Sequence, residues 1–177
     1  MDVPDVTPIF ECMKEIKRHH IHIEISNLVI PKIGDSMENI MRLVIWIREN
    51  LGPDTPLHFL KYRERCPMSF PPIPPQVFGK AREVALKEGL KYVYTPMHRN
   101  TYCPSCDELL IERLGDRPCW PVFSSKLTAD NVCLNCGEKI PIVGRPRPNE
   151  EVSRRLTAIG ITFSAWTCRN EYWGFEG

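Results

Sequence analysis

Four cysteines in two C-x-x-C pairs constrain the fold of this chain more than any other feature. The pairs are Cys103 with Cys106, and Cys133 with Cys136. Each pair forms a tight turn, or knuckle, that directs two thiolates at one point, so two knuckles supply four ligands for a closed tetrahedral metal site. A closed site leaves no position for a substrate. The spacing therefore predicts a structural ion, and zinc is favoured over iron because a ribbon of this type needs no redox chemistry.

Composition and charge indicate a protein of the cytosol. The 177 residues carry a net charge of +1, which gives no broad electrostatic reason to bind nucleic acid or a membrane surface. No apolar run reaches the length of a membrane span, and the amino terminus lacks the features of a signal peptide. In the cytosol the eight cysteines are expected to be metal ligands and free thiols rather than disulfides.

Helices and strands alternate along the first part of the chain. Apolar residues at helical spacing predict helices over residues 7–18, 35–51 and 77–88. Runs of β-prone residues predict strands over 21–30, 57–61 and 92–94. The order αβαβαβ indicates an α/β fold in which helical crossovers connect parallel strands.

The composition divides the chain into three regions. Residues 1–99 hold the αβ pattern, and residues 100–143 hold both knuckles, joined by turn residues and short β-prone runs. This second region is predicted to be a small zinc ribbon with a four-cysteine site. Residues 144–177 begin with a proline-rich linker and continue as a tail.

The first predicted strand has one polar face. Ile21, Ile23 and Ile25 alternate with ionisable and polar residues, among them His22 and Glu24. A parallel strand that is covered on both faces is usually apolar throughout. The polar face is therefore expected either to line a wet cavity, such as the lumen of an open barrel, or to be the solvated face of an edge strand.

Three segments that occur in order carry a resemblance to a known family. They are residues 24–36 (EISNLVIPKIGDS), 49–59 (ENLGPDTPLHF) and 81–94 (AREVALKEGLKYVY), followed by the first knuckle in 100–106 (NTYCPSC). They resemble the back half of the radical S-adenosylmethionine proteins of the AmmeMemoRadiSam system, which are relatives of the pyruvate formate-lyase activating enzymes. The resemblance covers roughly residues 7 to 143.

The resemblance implies a partial (β/α) barrel followed by a metal-binding ribbon. Enzymes of this family bind a [4Fe-4S] cluster through a C-x-x-x-C-x-x-C loop and cleave S-adenosylmethionine to a radical. No such motif occurs in the 177 residues, and the early barrel strands also lack a counterpart. The chain is therefore expected to be the C-terminal portion of such an enzyme, inactive alone, with an N-terminal half-protein as the partner that completes the barrel.

The positions expected to face the cofactor depart from the family pattern. The family usually has Arg-Phe-His-Pro after the second of these strands, whereas this chain has Lys61, Tyr62, Arg63 and Glu64. The loops after the other two strands also differ, at residues 31–35 and 95–98. The packing positions fit the family and the cofactor positions do not, which argues against intact cofactor binding.

Three residues remain candidates for contact with the cofactor, each with a structural alternative. His58 either lines the lumen at the end of its strand or is a hydrogen-bonded core histidine. Glu24, with His22, either contacts a ligand or is solvated. Arg63 stands where the family has histidine and either meets a carboxylate or lies on a surface loop. The competing function is a non-catalytic zinc-ribbon protein that acts as a binding module or scaffold.

Overall fold

The computed structural model describes residues 5–62, 71–113 and 122–146. The chain divides into two compact units, and the boundary falls between His98 and Arg99. The predicted boundary lies one residue further along the chain. The predicted tail at 144–177 lies outside the described residues from position 147 onward.

The first unit is an α/β structure with a parallel sheet. Its elements are α1 (Thr7–Arg18), β1 (Ile25–Val29), α2 (Met37–Asn50), β2 (Leu57–Lys61), α3 (Pro75–Lys87) and β3 (Val93–Tyr94). The strands lie in the order β1-β2-β3, and both pairings are parallel, with Ile25 opposite Leu57 and Leu57 opposite Val93. The predicted αβαβαβ order and the parallel sheet are confirmed. Within the described residues of this unit the three strands form an open sheet, because three strands are too few to close into a barrel.

The first strand is shorter than its sequence pattern predicted. Pairing with β2 begins at Ile25 and ends at Val29, so the prediction of a strand over residues 21–30 was wrong at its amino-terminal end. The left-handed backbone at His20 (φ 56°) and the hydrogen bond from the Ile21 N–H to the Ile16 carbonyl continue the end of α1 into this segment. The alternation of apolar residues therefore begins at Ile21, whereas strand pairing begins at Ile25.

Strand alternation gives the sheet one covered and one open face. Side chains that point to the helices, such as Leu57 and Phe59 of β2, are buried in one core with Val44 and Ile47 of α2 and Ala81 and Ala85 of α3. On the opposite face Ser26, Leu28 and Leu60 are exposed. Successive side chains on a strand point to opposite sides of the sheet. The expectation that one face of β1 is open to solvent is therefore confirmed at Ser26 and Leu28.

The first helix is packed less completely than the other two. Phe10 meets Trp46 of α2 edge-on, with ring centroids 4.5 Å apart, and Met13 packs against the core. None of the residues of α1 is fully buried, and Ile9 is half exposed. The described part of the chain therefore covers only part of the apolar face of α1.

The second unit is a small antiparallel structure. Its strands are β4 (Thr101–Tyr102), β5 (Leu109–Arg113) and β6 (Val122–Ser125), hydrogen-bonded in that order. Two single bridges, Leu127 with Cys133 and Val132 with Lys139, hold the second knuckle. Leu110, Ile111 and Ile140 are its buried apolar residues beside the cysteines. Residues 114–121, in the region between the knuckles where short β-prone runs were predicted, lie outside the described residues.

None of the helices in the described ranges has the length and apolar character needed to cross a membrane.

Candidate metal centre

The four predicted cysteines meet at one point in the second unit. Their sulfur atoms all lie within 4.8 Å of one another, and the group could hold a metal ion. Two of the sulfur pairs between the knuckles are Cys103 with Cys136 at 3.5 Å and Cys106 with Cys133 at 3.8 Å. Cys103 and Cys133 are buried, whereas Cys136 is exposed. The structure thus brings together residues that are up to 33 positions apart.

Both knuckles have the same backbone hydrogen bonds. The Cys103 N–H donates to the Glu108 carbonyl (2.9 Å), and the Asp107 N–H donates back to the Cys103 carbonyl (3.0 Å). The second knuckle repeats this pattern between Cys133, Glu138 and Gly137, at 2.8 and 3.0 Å. The residue after the second cysteine has a left-handed backbone in each case, with φ 57° at Asp107 and 80° at Gly137. The two turns are therefore equivalent halves of one site.

N–H donors around the sulfurs favour a charged thiolate at Cys106. The side-chain amide of Asn135 and the backbone N–H of Glu108 hydrogen-bond to this sulfur and lower the pKa of the Cys106 thiol to about 7. Hydrogen bonds to the charged form always act in this direction. Because a thiolate is the form that binds a metal, Asn135 prepares Cys106 as a ligand.

Neighbouring thiols and burial raise the pKa of the Cys136 and Cys103 thiols. The backbone N–H of Glu138 lowers the pKa of the Cys136 thiol, but the nearby Cys106 thiol and desolvation outweigh it and raise that pKa to about 12. Burial raises the pKa of the Cys103 thiol. Four thiols that share one space cannot all ionise without a cation, since like charges oppose each other. A divalent ion at the centre removes this conflict.

The spacing of the sulfurs fits a single ion. Four ligands at the usual zinc–sulfur distance of about 2.3 Å in a tetrahedron are about 3.8 Å apart. The bridging separations of 3.5 and 3.8 Å agree with this value. In a [4Fe-4S] cluster each thiolate binds a different iron atom, so its sulfurs lie further apart. The donor set fits one tetrahedral metal ion.

A second polar cluster gathers two of the three predicted cofactor contacts. The Glu24 carboxylate lies 2.8 Å from Nε2 of His58 and 3.0 Å from Nε2 of His22, one ring at each oxygen. The His58 ring stacks on Tyr94 of β3, with centroids 4.8 Å apart. The hydrogen bond from His58 is the largest cause that lowers the pKa of the Glu24 carboxyl, to about 2, so this carboxylate is ionised at neutral pH.

The position of this cluster differs from the prediction. His58 is the second residue of β2 and Glu24 directly precedes β1, so both lie near the amino-terminal ends of their strands. The observed bounds of β2, Leu57–Lys61, are the predicted ones, and they place His58 one residue from the amino-terminal end of the strand. Active sites of parallel α/β folds form at the carboxyl ends. Arg63, the third candidate, lies outside the described residues.

Sequence reasoning missed the residues that support the two sites. Asn135 lies inside the second knuckle, and Ser105 of the first knuckle donates to the Glu138 carboxylate (3.0 Å) and so links the two turns. A polar residue between two cysteines is a signal that could have identified Asn135. Tyr94 gives no such signal, because its contact with His58 depends on the register of β2 and β3.

Comparison with known proteins finds an archaeal relative. The chain is 38% identical over 146 residues to an uncharacterized protein, MJ0808, of Methanocaldococcus jannaschii. The match covers 77% of this chain and 42% of that protein, so the chain spans less than half of the length of the relative. No family model matches the chain, and no solved structure matches it.

Proposed function

We propose that this chain is the C-terminal portion of a radical S-adenosylmethionine enzyme of the AmmeMemoRadiSam or pyruvate formate-lyase activating type. The observation that carries the proposal is an open parallel sheet in αβαβαβ order, followed in the same chain by a four-cysteine site. Both features occur in the order that the family resemblance implies. These 177 residues lack the C-x-x-x-C-x-x-C motif, so radical chemistry requires a further segment that supplies the [4Fe-4S] cluster.

The edge of the sheet supports a partner that completes a barrel. Among the described residues, β1 pairs with β2 along one side, and its other edge faces no described strand. An unpaired edge exposes N–H and C=O groups that pair readily with another strand. Helix α1 precedes β1 in the chain, and its apolar residue Ile9 is half exposed. A preceding strand and helix would cover both features.

The length of the relative agrees with this proposal. More than half of MJ0808 lies outside the region that matches this chain. A single polypeptide that includes such a region would have room for the cluster-binding loop and the early strands of the barrel. The cofactor contacts predicted for Glu24 and His58 stay predictions for the completed enzyme.

For the four-cysteine site we propose zinc in a structural role. Four thiolates in tetrahedral spacing occupy every position of the ion, so none remains for water or substrate. The ion would hold the ribbon fold together, while the barrel would carry the chemistry. Zn²⁺ has no redox chemistry, which suits an ion whose role is structural.

The test starts from the DNA immediately upstream of the Met1 codon. The proposal predicts an open reading frame with C-x-x-x-C-x-x-C and early barrel strands, in frame or in an adjacent gene. The completed protein is produced as one chain if the frame is continuous and as two co-expressed chains if it is not; it is reconstituted without oxygen with iron and sulfide, and reduced with dithionite. The expected product is 5′-deoxyadenosine from S-adenosylmethionine, formed by the completed protein and not by these 177 residues alone.

The same experiment separates the proposal from the alternative function. If no such frame exists and the purified chain is a cooperatively folding monomer, the enzyme assignment falls. A non-catalytic zinc-ribbon scaffold then becomes the better account. Affinity capture of a partner that requires the ribbon and not the α/β unit would support that account directly.

A further inference from the structure

The four sulfurs of the metal centre differ in their access to solvent. Cys103 and Cys133 are buried, and Cys106 is half-buried. Cys136 is exposed, and Leu134 in the same knuckle is 66% exposed, so this turn lies at the surface. A small oxidant that approaches from solution therefore meets the Cys136 sulfur first.

A second sulfur lies next to the exposed one. The Cys103 sulfur is 3.5 Å from the Cys136 sulfur and belongs to the other knuckle. Cys103 is buried, so it is reached through Cys136 more readily than from solvent. An exposed cysteine beside a second, resolving cysteine is typical of thiols that respond to oxidants.

Metal binding makes these sulfurs reactive toward an oxidant. Only a deprotonated cysteine binds a metal ion, so all four ligands of a loaded site are thiolates. The thiolate is also the form that peroxides oxidise. Because the four ligands then share this property, access to solvent and the distance to a partner sulfur decide which pair reacts.

We propose that the four-cysteine centre is a redox switch, in which hydrogen peroxide converts Cys136 and Cys103 into a disulfide and thereby releases the metal ion. The inference rests on the zinc proposed above for this centre and goes beyond a purely structural role for it. A disulfide sulfur is no longer a thiolate ligand, so only Cys106 and Cys133 remain to hold the ion. Removal of two of the four ligands lowers the affinity for the ion.

The oxidation proceeds in two balanced steps. The Cys136 thiolate attacks one peroxide oxygen, so a sulfur–oxygen bond forms, the oxygen–oxygen bond breaks and hydroxide leaves. The Cys103 thiolate then attacks the Cys136 sulfur, which forms the disulfide and releases a second hydroxide. The two sulfurs together lose two electrons, which the peroxide gains. Protons from solvent convert both hydroxides to water.

Zinc release and disulfide mapping test the switch on the full chain. The chain is loaded with one equivalent of Zn²⁺, its metal content is measured, and hydrogen peroxide is added in the presence of a chromophoric chelator. The expected result is release of the ion together with the loss of two hydrogen atoms from the intact mass. Proteolysis and mass spectrometry should identify a cross-linked peptide pair that contains Cys103 and Cys136. Dithiothreitol and fresh Zn²⁺ should restore the metal content.

Two serine variants separate the switch from reactions of other thiols. Cys136→Ser should slow peroxide-dependent zinc release by at least about tenfold, because the exposed thiolate is missing. Cys12→Ser is the matched control, since Cys12 is also exposed but lies on α1 and is not a ligand. This control should release zinc at the rate of the parent chain. The peptide map of the parent chain tests the pairing whether or not Cys136→Ser retains zinc.

The outcomes distinguish this inference from the zinc proposal on which it rests. A chain that takes up no Zn²⁺ overturns both. A chain that binds Zn²⁺ and keeps it in the presence of peroxide overturns the switch alone. The switch is also overturned if the disulfides form within each knuckle or with Cys12, or if Cys136→Ser releases zinc as fast as the parent chain.

Discussion

Asn135 shows how a single side chain can prepare a metal ligand. Its amide donates to the Cys106 sulfur and is the largest cause of the lowered pKa of that thiol. Such outer-shell donors stabilise the negative charge that a thiolate shares with the ion. Asn135 also lies inside the knuckle, so the same turn that places Cys136 also places the donor.

Replacing Asn135 should weaken metal binding without removing it. We expect Asn135→Ala to lower the affinity of the four-cysteine site by about 10- to 100-fold, because the Cys106 thiolate loses its strongest stabilising contact. Competition with a chromophoric chelator measures the change. Leu134→Ala is the control, since the neighbouring Leu134 side chain is largely exposed. Equal affinity of the Asn135→Ala chain and the parent chain would contradict the assigned role.

At the scale of elements, two glycines in the first unit have opposite conformational requirements. Gly52 follows α2 in a left-handed conformation (φ 91°), and no atom lies within 4 Å of an added Cβ. Gly79 lies inside α3, again with nothing within 4 Å of an added Cβ. The difference between them is therefore one of backbone conformation and not of space.

Alanine at these two positions should change stability in opposite directions. Gly52→Ala is expected to lower the free energy of unfolding by about 1–2 kcal/mol, since a Cβ disfavours the left-handed backbone. Gly79→Ala is expected to raise it by about 0.5–1 kcal/mol, because alanine loses less entropy in a helix. Urea denaturation followed by circular dichroism measures both. A change of the same sign in the two variants would refute this explanation.

The interior of α2 should be sensitive to truncation on one face only. Ile47 is fully buried against the sheet, whereas Met41 on the same helix is exposed. We expect Ile47→Ala to cost about 2–5 kcal/mol of unfolding free energy, through lost burial and the cavity that remains. Met41→Ala should change it by no more than about 0.5 kcal/mol. Similar losses in both variants would show that the assigned core face is wrong.

At the scale of the whole molecule, the two units depend on different sources of stability. The first unit has a core of helix and strand side chains. Among the described residues of the second unit, Leu110, Ile111 and Ile140 are the large apolar side chains that are buried, and Cys103 and Cys133 are buried with them. Small units with so little core usually require a metal or disulfides to fold.

Removal of the metal should therefore unfold one unit selectively. All helices that the described residues contain lie in the first unit, so circular dichroism at 222 nm should persist after chelation. Amide resonances of residues 99–113 and 122–146 should lose their dispersion in a two-dimensional NMR spectrum and regain it when Zn²⁺ is returned. Simultaneous loss of the helical signal would contradict this separation, and unchanged amide resonances would contradict the structural role of the ion.

Much of the fold could be predicted from the sequence because the relevant signals are local. Helical spacing located α1 and α2 to within two residues, and the β2 prediction matched Leu57–Lys61. The prediction for β1 failed at residues 21–24, where the alternation is present but no strand among the described residues pairs with it. Local periodicity reports which residues can form a strand, whereas hydrogen bonding across the sheet determines where the strand begins.

The candidate sites divide in the same way. The C-x-x-C spacing alone determined the four sulfur ligands, since each knuckle is a turn of four residues and the metal requires all four sulfurs at one point. Only the tertiary structure decided that Glu24 meets His22 and His58, and that His58 stacks on Tyr94. The contacts of His58 follow from the register of three parallel strands, which depends on how the helices pack on one face of the sheet.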